Sequence, residues 1–368
     1  MMKRLLSLLL IAALAAGLLA ACAGVPVSVA DPLPDGGAAP DTGADSAPET
    51  APDSQPETAP EAGGEGAVRT GLSVQTSLAS SKSAADGADG LVQADITVVA
   101  VTVDDQGVID DCVIDAIQAR VPFDAAGQLT GDTAAAIPSK NELGDGYGMK
   151  GASSIGREWY EQAAAFADYC VGKTVDELRG VAVDEAGQAL DADLAASATI
   201  NLGGFLSGVE EAVANAAHLG AAAGDELRLV SESSAAESAS AGEDDGSGSV
   251  TANLAAVTFR GDVITSCVID AVQPALTFDG AGQLTGDPSA AVLSKNALGD
   301  GYGMKGASSI GREWYEQAAA FAAYCVGKTV DEVAGMAVTE DGHAGDADLA
   351  ASVTIAVGGF RSLIGKAG

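Results

Sequence analysis

A segment that occurs twice constrains this chain more than any other feature. Residues Val108 to Val213 align with Val263 to Gly368 at a constant offset of 155 without a gap. Within that span Leu143 to Glu177 and Leu298 to Glu332 differ at a single position, Asp168 against Ala323. Upstream, Ala100-Val101-Thr102-Val103 pairs with Ala256-Val257-Thr258-Phe259 if Asp104-Asp105-Gln106-Gly107 is set against the shorter Arg260-Gly261-Asp262. A one-residue change between two β-branched runs is what a hairpin turn accommodates. Each repeat spans about 115–130 residues, enough for one small core. Two copies are too few for a solenoid, whose units stack in threes or more. The sequence therefore predicts two tandem domains, 95–223 and 250–368.

Within one repeat the patterning is α+β. Thr97 to Val103, a turn, and Val108 to Gln118 with Cys112, Ile114 and Ala116 on one face predict an N-terminal hairpin. Phe123 to Leu129 reads as a further short strand with a turn. A Gly-rich stretch, Leu143 to Ser154, leads to a helix with Ser153 or Ser154 as N-cap and Trp159, Ala163, Phe166 and Cys170 on one stripe, ending at Gly172. Thr174-Val175-Asp176-Glu177 is a capping box that opens a short helix. Asp193 to Ile200 leads into Gly203-Gly204-Phe205 and a last helix containing Val209, Ala212 and Val213.

The flanking segments read differently. Met1-Met2-Lys3-Arg4 is a positive start, Leu5 to Leu19 an apolar stretch, and Leu19-Ala20-Ala21-Cys22 places small residues before a cysteine. This is the layout of an export signal, 1–22, rather than of a membrane span, which needs about 20 apolar residues. Leu19 to Cys22 resembles the bacterial lipoprotein lipobox, in which the cysteine takes a diacylglyceryl thioether and becomes the new N-terminus. That resemblance implies a lipid anchor at Cys22 and a place at the extracytoplasmic face of the cell membrane. Residues 23–94 contain eight prolines between Pro26 and Pro60 and no aromatic residue, a composition that predicts a disordered acidic tether. The Ser-, Glu-, Gly- and Asp-rich stretch 224–249 reads as a linker between the repeats.

Charge and the rare residues exclude several functions. Against 18 Lys and Arg stand 52 Asp and Glu, a formal charge of −34. Nucleic acid, whose recognition needs a basic footprint, is excluded as a partner, and the same sign disfavours an anionic membrane surface. His218 and His343 are the only histidines and are not equivalent in the repeats, and no Cys-x-x-Cys-His occurs. Metal, haem and Ser-His-Asp sites thus lack their ligands or base. Besides Cys22 the cysteines fall at equivalent places, Cys112 with Cys170 and Cys267 with Cys325. Four cysteines allow three pairings, and the repeat symmetry favours a disulfide within each domain. The alternative is two buried thiols that never meet.

The order of elements in each repeat resembles the FMN-binding domains of membrane redox complexes and of surface lipoproteins in extracellular electron transfer. In those domains a β-hairpin, a Gly-rich segment and an aromatic-containing helix precede Asp-Ala-x-Ser/Thr-Gly-Ala-Thr, whose last threonine carries FMN through a phosphoester. Asp193 and Thr199 in Asp193-Leu194-Ala195-Ala196-Ser197-Ala198-Thr199 fall on the family's Asp and Thr, as do Asp348 and Thr354. Ala196 and Ala351 stand where the family has Ser or Thr, Ser197 and Ser352 where it has Gly, and Val353 where it has Ala. The chain is also similar to duplicated bacterial surface lipoproteins with a Gly-Gly-Phe end. The resemblance implies a small FMN-binding-like fold in each repeat, with FMN as cofactor, beside the absence of metal and haem already read from the histidines and cysteines. A membrane redox donor and an extracellular acceptor would be the partners. The residues support such a site on their own chemistry. Lys150 or Arg157 offers a cation to a phosphate, Gly-rich turns offer backbone N–H groups, and Tyr147, Met149, Trp159 and Tyr160 offer flat or apolar neighbours to a ring. Tyr302, Lys305, Arg312 and Trp314 repeat the set. Two functions stay open, an electron-carrying flavoprotein and a non-redox module that binds a cell-wall component or ligand. Both describe a carrier or binder more than a catalyst.

Overall fold

The computed structural model describes residues 66–368. The export signal with Cys22, and residues 23–65 of the expected tether, lie outside the described residues. Repeat 1 contributes an antiparallel sheet in the order β1 (Arg69–Ser77), β2 (Gly90–Val103), β3 (Ile109–Phe123). Repeat 2 contributes β4 (Glu226–Ser234), β5 (Gly246–Ser249), β6 (Thr251–Arg260), β7 (Val263–Val272) and β8 (Ala275–Phe278), with β4-β6-β7 in one sheet and β5-β8 in a short extension. Pro274 stands at the repeat position of Ala119. Lacking an N–H, it falls between β7 and β8, which together match the single long strand β3.

The β2–β3 hairpin forms as its residues predict. Asp104 Oδ1 accepts the N–H groups of Gln106 and Val108 at 2.9 and 2.8 Å, and Gly107 at φ 83° closes the turn. The one-residue length difference between the repeats falls at the matching turn, with a register shift between Thr102 and Val103 and another between Thr258 and Phe259.

Several expected boundaries are corrected. Residues 69–94, read as part of the tether, hold β1 and the start of β2, and 224–249, read as a linker, hold β4 and β5. A half-buried strand needs an apolar residue only at alternate positions, so RTGLSVQTS and ELRLVSESS look loop-like on average composition. Phe123 to Leu129 is not a separate strand. Phe123 ends β3, and Leu129 bridges back to it across a turn at Asp124–Gly127.

The helices of repeat 1 are α1 (Lys140–Leu143), α2 (Trp159–Cys170), α3 (Val175–Leu178), α4 (Ala192–Ala195) and α5 (Gly203–Ala214). Those of repeat 2 are α6 (Lys295–Leu298), α7 (Trp314–Cys325), α8 (Val330–Ala334), α9 (Ala347–Ala350) and α10 (Gly358–Gly365). Helix α2 starts later than the Ser153 or Ser154 cap predicts. Its N-cap is Glu158, whose backbone N–H donates to the Glu161 carboxylate at 2.7 Å. The Thr174 capping box that opens α3 is present as predicted.

Strand alternation gives each sheet two apolar faces. Val99 and Val101 meet Phe166, Phe205 and Val209 of the outer helices, whereas Val98 and Ala100 join Leu254 and Ala256 in a core shared by both sheets. The described chain is thus one α+β unit of four layers, helix, sheet, sheet, helix, and the repeats are not the two separate domains that the sequence predicts.

Near-twofold contacts close the centre. Phe123 and Phe278 stack at 3.9 Å with their planes 3° apart. Gln128 Nε2 donates to Ala241 O at 2.9 Å and Gln283 Nε2 to Ala84 O at 3.2 Å. Ala241 N donates to Gly127 O and Ala84 N to Gly282 O, each at 2.8 Å. Gly127 and Gly282 have φ of 66° and 68°, and a Cβ there would come within 2.6 and 2.8 Å of the other repeat's backbone.

Because the core is shared, Phe123→Ala is expected to remove about 3–5 kcal/mol and to shift one unfolding transition common to both repeats. Denaturant titration followed by tryptophan fluorescence checks this, Trp159 and Trp314 reporting one repeat each. Two transitions, of which only one moves, would show independent domains.

Candidate functional site

The candidate site is built around a polar residue on the buried face of α2. Gln162 lies three residues after Trp159, on the side of the helix that also buries Ala163 and Phe166, and is 0% exposed. A buried amide needs partners for both ends, and Gln162 finds them on two loops. Its Oε1 accepts Thr199 N–H at 2.8 Å and Thr199 Oγ1–H at 3.2 Å. Its Nε2 donates to Arg157 O at 3.1 Å and to Ser153 Oγ at 3.2 Å. Gln317 repeats the arrangement with Thr354, Arg312 and Ser308, and also accepts Ile355 N–H at 3.1 Å.

Glu158 fixes the other end of the Gly-rich loop. Its buried carboxylate accepts the N–H groups of Met149 and Lys150 at 2.7 and 2.9 Å. Glu313 does the same for Met304 and Lys305 at 2.8 Å each. The 3₁₀ turn Gly144–Tyr147 follows α1, and Gly148 at φ 80° ends it in the left-handed region that glycine enters without strain.

Helix α1 is anchored to β3 by a buried acid. Asp115 Oδ1 accepts the N–H groups of Ala116 and Asn141 at 2.7 and 3.0 Å, and Asn141 Nδ2 donates to Ile114 O at 2.9 Å. This brings the Lys140 ammonium to 4.7 Å from the Tyr147 ring centroid and 4.8 Å from that of Trp159, within cation–π range. Lys295 lies likewise at 4.9 and 5.0 Å from Tyr302 and Trp314.

One connected network therefore joins most of the residues that the sequence singles out. Tyr147 and Trp159 meet through Lys140, Lys150 is held through Glu158, and Arg157 and Thr199 are held through Gln162. Tyr302, Trp314, Lys305, Arg312 and Thr354 occupy the same places in repeat 2. Asp193 and Asp348 are not drawn in. They are exposed in the short helices α4 and α9, whose N-caps are Asp191 and Asp346. Trp159 and Trp314 belong to the core, 6% exposed each and edge-on to Phe205 and Phe360 at 5.7 Å. Tyr147, Met149 and Tyr160 remain partly exposed. The acids around the loop are engaged. Glu142 binds Ser139 N–H and pairs with Lys366, and Asp145 accepts from Tyr160 at 3.3 Å. Lys150 and Arg157 are exposed and form no ion pair among the described residues.

Sequence reasoning missed Gln162, Glu158, Lys140, Asp115 and their copies. One signal was in view for Gln162, a polar residue on the apolar stripe of a helix kept identical in both repeats. A cleft of 630 Å³ around Asp104–Asp110 lies away from this network, whereas one of 400 Å³ around Cys267 and Ala323 borders it through Asn296 and Tyr315, the copies of Asn141 and Tyr160. No helix among the described residues is long and apolar enough to cross a membrane. Comparison with known proteins finds no matching family model, no matching curated protein and no matching solved structure.

Replacing Gln162 by Leu leaves Thr199 N–H and Arg157 O without their buried partner, and is expected to cost about 1–3 kcal/mol. Hydrogen exchange in 149–157 and at Thr199 should accelerate while β2 and β3 stay protected. Unchanged exchange at both loops would contradict the role of Gln162 as their link.

Burial also pushes the Asp115 and Asp270 carboxyls above the ordinary aspartate range, an effect that bonds from Ser139 or Ser294 and from backbone N–H groups offset in part. A raised value means that the folded state binds the proton more tightly than the unfolded chain. The stabilisation is complete below the ordinary aspartate value and is lost as pH rises through the raised native one. Melting temperature should therefore fall with rising pH across that window, and less steeply in the Asp115→Asn/Asp270→Asn variant. Equal slopes in thermal melts of the two proteins would contradict this.

Proposed function

We propose that the protein is a lipid-anchored extracytoplasmic carrier with two equivalent ligand sites, one at each Gly-rich loop, and that it binds flavin mononucleotide noncovalently for electron transfer. The observation that carries this reading is the buried Gln162 and its copy Gln317. Each spends its whole hydrogen-bonding capacity on tying the Gly-rich loop to the threonine segment. Duplicated polar anchors beneath an exposed loop serve to hold that loop in one shape, which is what a binding site needs.

The exposed chemistry is compatible with such a ligand. Lys150 and Arg157, which form no ion pair among the described residues, would take the phosphate, and Tyr147, Met149 and Tyr160 would take the ring. A Cβ added at Gly144, Gly146, Gly148 or Gly151 would meet nothing within 4 Å, so the loop backbone is open to approach. Bound flavin supplies one- and two-electron transfer, and the chain's residues hold and orient it. The Thr199 and Thr354 hydroxyls donate to their glutamines in this reading and carry no phosphoester. A membrane redox donor and an extracellular acceptor are the partners that a tethered carrier of this kind would serve.

Burial of Trp159 and Trp314 favours a second reading, because it removes the largest candidate ring neighbours from the surface. In that reading the chain is a non-redox module that binds a wall component or small ligand at the same two loops, with avidity from their fixed spacing.

The test is an absorbance spectrum with intact mass on protein made in a host that carries a flavin transferase and then incubated with excess FMN. The expected result is a flavin band that is lost on denaturation, no added mass, and affinity lowered roughly tenfold or more in Lys150→Ala/Lys305→Ala. A mass increment abolished by Thr199→Ala/Thr354→Ala would instead establish covalent attachment at those threonines. A colourless protein of unchanged mass would favour the second reading.

A further inference from the structure

The four cysteines of the repeats play no part in the site described above. Cys112 on β3 faces Cys170 at the end of α2, thiol to thiol, and Cys267 on β7 faces Cys325 at the end of α7. All four are thiols in this structure, and their exposures are 6%, 0%, 4% and 0%. Each pair joins a strand to the helix packed on it, deep in the outer core of its own repeat. The arrangement places a partner beside every buried thiol and none across the repeats.

The two pairs differ in their surroundings. Asp111 and Asp168 flank the first pair, and at the corresponding positions repeat 2 has Ser266 and Ala323. Contact with Cys170, burial, and then these two carboxylates all push the Cys112 thiol up. For Cys267 the causes are contact with Cys325 and burial alone. Cys267 and Ala323 also line the 400 Å³ cleft together with Leu219, Ile269, Ala322 and Val326. A thiol–disulfide reagent attacks as, or releases, a thiolate, so nearby carboxylates slow it and an open approach speeds it.

We propose that Cys112–Cys170 and Cys267–Cys325 are disulfide-forming pairs, and that the second is the one that exchanges readily in the folded protein. Closure runs by thiol–disulfide exchange with a small disulfide such as oxidised glutathione. One cysteine thiolate attacks the reagent and releases one glutathione thiol, leaving a mixed disulfide. The second cysteine displaces the other glutathione. Two electrons and two protons pass from the pair to the reagent, which leaves as two thiols. The proposal rests on the cysteines and their neighbours and does not depend on the ligand reading.

The test uses the full chain with Cys22→Ser, reduced and folded, and then exposed to oxidised glutathione. Samples are quenched at intervals with N-ethylmaleimide in denaturant and mapped by peptide mass. The expected result is two disulfides, 112–170 and 267–325, with the second closing several-fold faster. Ala323→Asp should slow the second pair and Asp168→Ala should speed the first. Both changes are at exposed helix positions, and neither removes a cysteine. A disulfide between the repeats, or four alkylatable thiols persisting after equilibration in urea that lets the chain open and reclose, would overturn the pairing. Equal closure rates that neither variant shifts would overturn the difference between the pairs.

Discussion

The apolar face that each three-stranded sheet turns towards the other is the constraint on which the molecule depends. Neither repeat alone has enough helix to cover both sides of its sheet. Helices α2 and α5 cover one side of repeat 1, and the other side, with Ile96, Val98 and Ile117, is covered by Leu254, Ala256 and Val272 of repeat 2. Burying that face is non-directional and favourable in proportion to area. Directionality comes from elsewhere, from the paired glutamine bonds of Gln128 and Gln283 and from Gly127 and Gly282, where the two backbones pass too closely for a side chain. The duplication has thus produced an internal near-twofold dimer, with the isologous contacts that such symmetry requires.

With the inner faces committed to each other, the outer faces are left to carry the loops. Each outer layer places a buried acid under α1, a buried glutamine in the long helix and a buried glutamate at that helix's start. All three are polar groups whose burial is tolerated because every one is hydrogen-bonded to backbone. They hold an otherwise glycine-rich surface in a defined shape. In a chain of net charge −34, the acids nearest this surface are used internally, and Lys150 and Arg157 form no ion pair among the described residues. The two sites are held by one shared core, so their separation is set by packing rather than by a linker.

Much of one repeat was legible because its signals are local. The Asp104–Gly107 turn, the Thr174 capping box and the stripe Trp159, Ala163, Phe166, Cys170 are each decided by residues within a few positions of one another, and all appear as expected. The edge strands β1 and β4 were not legible. They lie in polar, Ser-rich sequence, and they are strands because β2 and β6 offer them a ladder. The site divides in the same way. Exposed residues in a duplicated Gly-rich segment drew notice, whereas Gln162 and Glu158, which organise them, act through backbone atoms of distant loops that no spacing rule connects. Asp193 illustrates the converse, a residue placed by a motif but left outside the network.

The sequence by itself determined the duplication, the α+β class, the hairpin and helix order within a repeat, the net charge, and the equivalence of the cysteine pairs, because each is written in composition or in short-range periodicity. Only the tertiary structure decided that the repeats are one body, that two supposed spacers are edge strands, and that Cys112 meets Cys170. Those outcomes depend on which of two apolar faces finds a partner far along the chain. Strand alternation puts Val98 and Ala100 on one face of β2 and Val99 and Val101 on the other, and over that stretch nothing local tells the face that meets a helix from the face that meets the other repeat.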